Sequence, residues 1–402
     1  MIDKNTLLTY AESNYREMLR EPKGNLKYKY IVPGSVYSEE LWDWDSWLVN
    51  IALQQFVKED ISEYEKGCVL NFLAHCDENG RIPIVIRPHS VGPDLSNPHT
   101  NIHKPCLAQH AAFIVKKSGD VEWIRKDFDK ILRFIEHYMS NFKHCCGLYF
   151  WFDDVAIGVD NDPCTFYRPQ KSSGSIFLNC MMYKELEAVC YIGNLLGIDT
   201  TKYKDEKERL RHCVQENCYD RRDGFFYSVD LNLLPVDQTS EIHSGSPRDW
   251  ECLIQRIGSW SGLLALWSGI ATEEQAKRVV STLLADDAFW ATYGIRTLAN
   301  YEKMYAIKAT GNPSCWLGPV WGISNYLVFR GLVKYGYNDT ARELAQKTLS
   351  LFERDIKESG VLHEYYHPDS GKPIMNPGFQ NWNLLAINML AWVNGDSVVE
   401  EF

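Results

Sequence analysis

The feature that most restricts the fold is a helical spacing of apolar residues that recurs along almost the whole chain. In the segment TEEQAKRVVSTLL, residues 272–284, the apolar residues fall on one helical face behind a Thr272-x-x-Gln275 capping box. The segment DTARELAQKTLSLFERDI, residues 339–356, repeats the pattern with Thr340 and Glu343 as its box. Similar spacing brings the total to about twelve helices, the others lying near residues 3–20, 40–58, 61–75, 104–117, 121–140, 175–195, 201–216, 250–270, 319–336 and 380–394.

Long connections rich in Gly, Pro, Asn and Asp separate many of these helices. Connections of this length are uncommon in compact domains unless they carry function. Short runs within them, RIPIVI and GFFYSV, predict small strands or hairpins. The connections lie near residues 77–103, 144–174, 218–249, 285–318 and 358–379.

Helix pairs joined by alternating short and long connections favour an all-α fold, the (α/α)6 barrel. In that fold the long loops and minor β-hairpins gather at one end, where a pocket opens between them. A helical solenoid is the competing architecture, but it requires a repeat of fixed period, which the sequence does not show. No Pro/Ser-rich linker divides the chain, so we predict one domain over residues 1–402.

Charge and composition exclude several functional classes. The formal net charge of -11 argues against nucleic acid or an anionic membrane as a partner. No stretch of 18 apolar residues occurs, and the N-terminal segment lacks the basic start and apolar run of a signal peptide. The 12 cysteines form no C-x-x-C pair, which predicts reduced, mostly buried thiols and a cytoplasmic location. The oligomeric state cannot be read from the sequence.

Aromatic residues are abundant, with 13 Trp and 22 Tyr. They indicate either a large core or an aromatic-lined ligand pocket. In SEELWDWDSWL, Asp43 and Asp45 alternate with Trp42, Trp44 and Trp47 at a predicted helix start. Two interpretations remain open for these acids: a helix N-cap, or a carboxylate that binds sugar hydroxyls beside a stacking ring.

A second group of acids lies in YFWFDD and the following IGVDNDP. Asp160 and Asp162 in DNDP are typical of a turn. Asp153 and Asp154 lie just upstream, and clustered carboxylates repel one another, which raises the pKa of at least one of them. The alternative to a simple turn is therefore that one of these four acids is a general acid.

Glu364 is embedded among aromatic residues in GVLHEYYHPDSGKPI, between His363 and Tyr365-Tyr366. The segment has too many turn-forming residues for a helix. We expect Glu364 to face Asp160 across a sugar-binding pocket, with His363 and the tyrosines adjusting its proton affinity or closing a water site.

Other motifs are less informative. In SCWLGPVWGISNYLVFRGL, Pro319 is expected at the first helical position, which leaves unexplained why Trp316 and Trp321 bracket the turn. His99 and His103 are four residues apart in a segment that does not look helical, so we predict no metal site. No nucleotide-binding or serine hydrolase motif is present, and we expect no cofactor.

Together these segments resemble the inverting α-glycosidases of glycoside hydrolase family 63 and, more distantly, the trehalases of family 37. LWDWDSWL resembles the family's W-D-S segment, and GVDNDP its G-M-D-N-S-P loop. CWLGPVWGISNYLVFRGL resembles Y-W-R-G-P-V-W-x-x-x-N-Y-L, and HEYYHPDSG resembles H-E-x-Y-x-P-x-T-G. The four matches occur in the family's order, from about residue 40 to residue 375.

The resemblance implies an (α/α)6 barrel and metal-free hydrolysis of a small α-linked glucoside or mannoside, such as a disaccharide, an oligosaccharide or a glycosylglycerate. Carried over by position, it implies that Asp160 is the general acid and Glu364 the general base. Inversion requires the two carboxyls to stand roughly 6.5–9.5 Å apart, whereas retention requires about 5–5.5 Å. The predicted substrate-binding residues are Trp42, Trp44, Asp45, Arg168, Trp316, Gly318, Trp321, Tyr365 and Trp382.

Three departures from the family pattern leave the sugar, its leaving group and the linkage undetermined: Leu317, Asp162 and the segment GFQNWN. Arginines in the long loops are candidates to hold an anionic aglycone or to lie on the surface. An epimerase on the same fold is an alternative that requires histidine in the pocket; a carbohydrate-binding protein without turnover is another. The arginines are Arg81, Arg87 and Arg168, and the candidate histidines are His110, His243 and His363.

Overall fold

Twelve α-helices account for most of the regular structure in the computed structural model, which describes residues 5–308 and 314–402. They are α1 (Asn5–Asn14), α2 (Asp43–Phe56), α3 (Ser62–Ala74), α4 (Leu107–Ser118), α5 (Phe128–Asn141), α6 (Ile176–Leu196), α7 (Thr201–Asn217), α8 (Leu264–Ser268), α9 (Glu273–Leu283), α10 (Gly322–Lys334), α11 (Asn338–Ser359) and α12 (Ala386–Asn394). Short 3-10 helices span Tyr15–Met18, Ser35–Tyr37, Glu122–Asp127, Trp260–Leu263 and Asn381–Leu385.

The even-numbered helices form a closed inner ring. Each contacts the next, from α2 through α4, α6, α8 and α10 to α12, and α12 returns to contact α2. The outer helices pack on this ring: α3 against α4, α7 against α6, and α11 against both α10 and α12, with α1 on α11. This is the predicted (α/α)6 barrel, and closure of the ring distinguishes it from a solenoid.

Sequence pattern decides which helices lie inside. Helices α2, α6 and α12 bury residues around most of their circumference, as helices enclosed by neighbours must. Helices α5, α9 and α11 bury a single apolar stripe and expose a charged face. The capping box predicted at Thr272 and Gln275 is confirmed at the start of α9.

Short antiparallel strands form within the loops between the helices. The sheets β3–β4–β5 and β11–β12 matter most here, because β3 leads directly into α2 and β11 into α10, and both place residues of the site described below. Strands also form within RIPIVI and GFFYSV, as predicted. In the described residues the strands are β1 (Leu19–Arg20), β2 (Tyr30–Ile31), β3 (Leu41–Trp42), β4 (Val85–Arg87), β5 (Ser90–Gly92), β6 (Ser173–Gly174), β7 (Tyr219–Asp220), β8 (Phe225–Phe226), β9 (Val229–Asp230), β10 (Leu253–Ile254), β11 (Val320–Trp321) and β12 (Tyr365–Tyr366).

Three predicted helix starts were wrong. The helix expected from residue 250 begins only at Trp260, because the preceding residues pair with β9 as strand β10. Pro319 is not the first helical residue: β11 follows it, and α10 begins at Gly322. Helix α11 begins at Asn338, so Thr340 lies inside the helix rather than at its cap. In the first two cases pairing with a distant strand overrides the local preference.

The cysteines agree with the expectation of mostly buried thiols. All 12 lie in described residues and are free, and Cys145 alone is exposed. No helix in residues 5–308 or 314–402 combines the length and apolar character needed to cross a bilayer. The assignment of one domain to residues 1–402 stays a prediction.

Candidate active site

A cavity of about 320 Å³ opens where the loops enter the inner helices α2, α4, α6, α10 and α12. Both predicted catalytic residues and most of the predicted aromatic ones line it. Because each wall comes from a different part of the chain, only the closed barrel assembles it. The lining residues are Tyr37, Trp42, Trp44, Asp45, Ile84, Lys104, Ala156, Gly158, Asp160, Ser314, Trp316, Trp321, Glu364, Phe379 and Trp382.

Asp160 lies half-buried on a turn that faces the cavity. The next residue, Asn161, accepts a hydrogen bond from the Trp316 backbone N–H at 2.7 Å, which ties this loop to the aromatic wall. The Asp162 N–H closes the turn by donating to the Val159 carbonyl at 2.9 Å. The DNDP segment therefore forms the expected turn and also places the Asp160 carboxylate at the cavity.

The predicted cluster of four acids does not form in the cavity. Asp153 accepts hydrogen bonds from the Asn101 amide and from the Val155 N–H, and Asp162 is buried beside Thr165, where burial raises its pKa to about 6. Neither these two acids nor Asp154 is among the described lining residues. The charge of Asp160 acts on Glu364, which lines the same cavity.

Glu364 lies just before β12, held by a hydrogen bond from its N–H to the Met375 carbonyl at 2.9 Å. The residue is 6% exposed, and its carboxylate accepts a hydrogen bond from the Asn376 amide, which also donates to the Tyr37 hydroxyl at 3.4 Å. Burial raises the pKa of Glu364 to about 7, the Asn376 hydrogen bond opposes the rise, and the charge of Asp160 adds to it. A carboxyl with a pKa near neutrality can exchange a proton at physiological pH.

His363 and Tyr366 do not touch the cavity, contrary to the expectation that they close a water site. His363 Nδ1 lies 2.9 Å from an oxygen of Asp355, and the Tyr366 hydroxyl donates to the same oxygen at 2.7 Å. Asp355 is a buried residue of α11. The aromatic residues beside Glu364 therefore anchor its backbone to the outer helix layer.

Asp43 and Asp45 take different roles. Asp45 lines the cavity and accepts a hydrogen bond from the Asn381 amide at 2.5 Å. Burial, and after it the negative charge of Asp43, raises the pKa of Asp45 to about 8. Asp43 points away, and both its oxygens bind the Lys104 ammonium at 2.7 and 2.9 Å. Neither acid is an N-cap, since Trp42 occupies that position without a side-chain cap.

Stacked rings form one wall and explain why two tryptophans bracket the 316–321 turn. Trp316 and Trp321 stack at 4.1 Å between centroids, with planes 10° apart. Trp260 lies beyond Trp316 at 5.7 Å, and Tyr365 beyond Trp321 at 4.7 Å. Trp44 meets Trp316 at 6.0 Å and Trp382 at 5.2 Å. Faces and edges of such rings suit the C–H surface of a pyranose.

Three predicted substrate-binding residues are not among the described lining residues, and their placement corrects the prediction. Arg168 pairs with Asp230 at 2.6 Å. Gly318 has a φ of 147° and packs so closely on Tyr305 that a Cβ would overlap its ring, so it is needed for the turn. Tyr365 lies behind Trp321, as its support.

The candidate histidines lie elsewhere too. His110 is buried against Asn50, and burial lowers the pKa of His110 to about 3 and that of His103 to about 4. His243 lines a separate depression in the 232–250 loop. Among the described residues, no group of His, Cys, Asp and Glu could hold a metal ion. Nothing in the described cavity lining therefore favours an epimerase.

Six polar or aromatic residues in or beside the cavity were not predicted: Tyr37, Lys104, Ser314, Asn376, Phe379 and Asn381. Two of them, Asn376 and Asn381, touch the predicted acids from the loop after Glu364. That loop contains GFQNWN, where the sequence departs from the family pattern. Asn381 belongs to that segment, so the departure is a signal that could have found it, whereas Asn376 lies just before the segment.

Comparisons with known proteins agree with this architecture. The family model for the mannosylglycerate hydrolase MGH1-like glycoside hydrolase domain matches residues 38–382. The chain is 23% identical to mannosylglycerate hydrolase MGH1 of Selaginella moellendorffii, over 96% of this chain and 86% of that protein. It is 21% identical to the cytosolic neutral trehalase of Kluyveromyces lactis, over 92% of this chain and 55% of the trehalase.

Among solved structures, the GH63 mannosylglycerate hydrolase from Thermus thermophilus in complex with Tris and D-glycerate superposes with a TM-score of 0.70 at 18% identity, covering 96% of this chain and 98% of that one. These matches confirm the resemblance to family 63 and the barrel fold.

Proposed function

The chain belongs to the MGH1-like glycoside hydrolase family, and from that premise we propose that it is an inverting α-glycosidase acting on a small α-linked glucoside or mannoside. The substrates considered are a disaccharide, an oligosaccharide or a glycosylglycerate. One observation carries the proposal: Asp160 and Glu364, 204 positions apart (364 minus 160), line one tryptophan-walled cavity and interact electrostatically.

The proposed chemistry divides between these two acids. Protonated Asp160 donates its proton to the glycosidic oxygen as that bond breaks, and Glu364 removes a proton from a water that attacks the opposite face of the sugar. Room for that water requires a carboxyl separation of roughly 6.5–9.5 Å. Asn376, which donates hydrogen bonds to Glu364 and to the Tyr37 hydroxyl, holds the Glu364 carboxylate toward the water.

In this proposal the glycone is held by the remaining walls of the cavity. Trp44, Trp321 and Trp382 offer apolar surface to the ring, and Asp45 accepts hydrogen bonds from sugar hydroxyls. The expectations of a cytoplasmic location and of no nucleic-acid or membrane partner remain part of the proposal.

The roles of the two acids are tested by Asp160→Asn and Glu364→Gln. Each substitution should lower kcat by about 10²- to 10⁴-fold and leave the thermal unfolding temperature within a few degrees of the unmodified protein. Asp154→Asn, on the same loop but outside the cavity lining, is the matched control and should keep its activity. Retention of activity by both site variants would rule out the assignment.

The stereochemical course and the reaction class are tested by following an α-linked substrate by proton NMR. Inversion releases the β-anomer first, whereas early α-anomer indicates retention and contradicts the proposal. Hydrolysis yields two separate products, whereas an epimerase leaves the linkage intact. Binding without turnover of any α-glycoside would identify a carbohydrate-binding protein instead.

A further inference from the structure

The cavity combines several acids with one cation. Asp45, Asp160 and Glu364 line it, and Lys104 is the sole basic residue among its described lining residues. The charges of all three acids act on the Tyr37 hydroxyl, raising its pKa together with burial, so they converge on one region. A ligand in the cavity is therefore surrounded by three carboxyl groups.

The charge of Lys104 is already neutralised by a buried ion pair with Asp43. Its Nζ lies 2.7 and 2.9 Å from the two oxygens of Asp43, and the side chains of Lys104 and Asp43 are 1% and 0% exposed. The ammonium lies over the Trp44 ring at 5.0 Å. A Cβ on Gly158 would come within 2.5 Å of Lys104 Cε, so the loop that carries Asp160 closes over the lysine. A ligand carboxylate would have to displace Asp43 to reach it.

The arginines of the neighbouring loops also have partners outside the cavity. Arg87 pairs with Glu40 at 2.7 Å, and Arg168 pairs with Asp230 at 2.6 Å. Arg81 donates to the carbonyls of Leu95 and Asn97. None of the three is among the described lining residues. No arginine in this part of the structure is thus placed to receive an anion in the cavity.

We infer that the leaving group of the preferred substrate is uncharged, so that neutral α-glycosides are hydrolysed in preference to glycosylglycerates; the inference rests on the proposed function and narrows its substrate class. An aglycone carboxylate would enter beside Asp160 without a cation to pair with, and it would lose hydration without compensation. It would also oppose ionisation of Glu364, because a like charge disfavours the charged form.

The test uses substrates that differ only in the charged group. α-Mannosylglycerate is compared with α-mannosylglycerol, and α-glucosylglycerate with α-glucosylglycerol, so that a carboxylate replaces a hydroxymethyl on the same linkage. At pH 7, kcat/KM for the glycerol compound should exceed that for the glycerate by at least about tenfold, for whichever glycone is accepted. Equal or faster cleavage of the glycerate overturns the inference.

A binding measurement separates this inference from the proposed function. The Asp160→Asn variant replaces the proposed protonated acid by a neutral group, and calorimetry gives its affinity for the same four compounds. If the unmodified protein cleaves none of the four compounds and no α-linked disaccharide, hydrolysis as proposed fails, but tighter binding of the neutral members by the variant still supports an uncharged aglycone. Tighter or equal binding of the glycerates, or binding of none of the four, overturns it.

The role assigned to the buried pair is tested with the double variant Asp43→Asn/Lys104→Met, which removes both charges together. If Lys104 is committed to Asp43, the ratio of kcat/KM between glycerol and glycerate compounds should stay within about twofold of the unmodified protein. A selective loss of glycerate cleavage would mean that Lys104 receives the carboxylate, and would overturn the inference. Should this variant not fold, the substrate comparison on the unmodified protein decides alone.

Discussion

Trp321 lies opposite Tyr365 in the antiparallel pair β11–β12, and their rings stack with centroids 4.7 Å apart. Glu364 directly precedes Tyr365, so this pair joins the backbone of the proposed base to the aromatic wall of the cavity. The Tyr365 ring is buried behind Trp321 and supports it without lining the cavity.

Removing that support should affect stability and substrate binding together. Tyr365→Ala deletes a buried ring and should lower the free energy of unfolding by about 3–5 kcal/mol. KM should rise because Trp321 loses one of its two stacking partners. Tyr365→Phe keeps the ring and is the matched comparison, expected within about 1.5 kcal/mol. Urea denaturation and steady-state kinetics measure both. An alanine variant as stable as the phenylalanine variant would show that the stack contributes little.

The pH dependence of activity should follow the ionisation of Glu364. Its pKa is raised to about 7, chiefly by burial, and the proposed base acts only when deprotonated. kcat/KM should therefore rise with pH up to about 7 and then level off until the acid loses its proton. Initial rates in overlapping buffers provide the profile. A flat profile between pH 5 and 7 would contradict the assignment of Glu364 as base.

Asn376 should set the pH at which kcat/KM rises on the acidic side of the profile. Its amide donates to Glu364 and holds the pKa of Glu364 below the value that burial alone would produce. Asn376→Gly removes the donor, and Gly suits the φ of 46° at this position. That rise should move to higher pH, with the largest loss of activity near pH 6. Asn141→Ala, whose amide bonds to His137 on the surface, should leave the profile unchanged.

Removing only one member of the buried ion pair Asp43–Lys104 should strongly lower the free energy of unfolding. Lys104→Met leaves the Asp43 carboxylate buried without its cation and should lower the free energy of unfolding by about 3–5 kcal/mol. The double variant Asp43→Asn/Lys104→Met removes the stranded charge and should recover most of that loss. Equilibrium unfolding of both variants gives the comparison. Equal stability of the single and double variants would mean that the lone carboxylate finds another partner or ionises less.

The sequence by itself determined the barrel and indicated the two candidate acids. Apolar periodicity reports which face of a segment is buried, so most helix positions and the capping box at Thr272 follow from local pattern. Four short motifs in a fixed order were enough to single out Asp160 and Glu364, and both do line the cavity.

Only the tertiary structure decided which groups meet. It brings Asp160 and Glu364 to one cavity. It also turns Asp43 onto Lys104 while Asp45 faces the cavity. Pro319 shows the same limit, because strand pairing with residues near 365 displaces the helix start that its local chemistry favours. The physical reason is that these contacts join loops brought together by ring closure, and loops carry no periodicity from which a distant partner can be read.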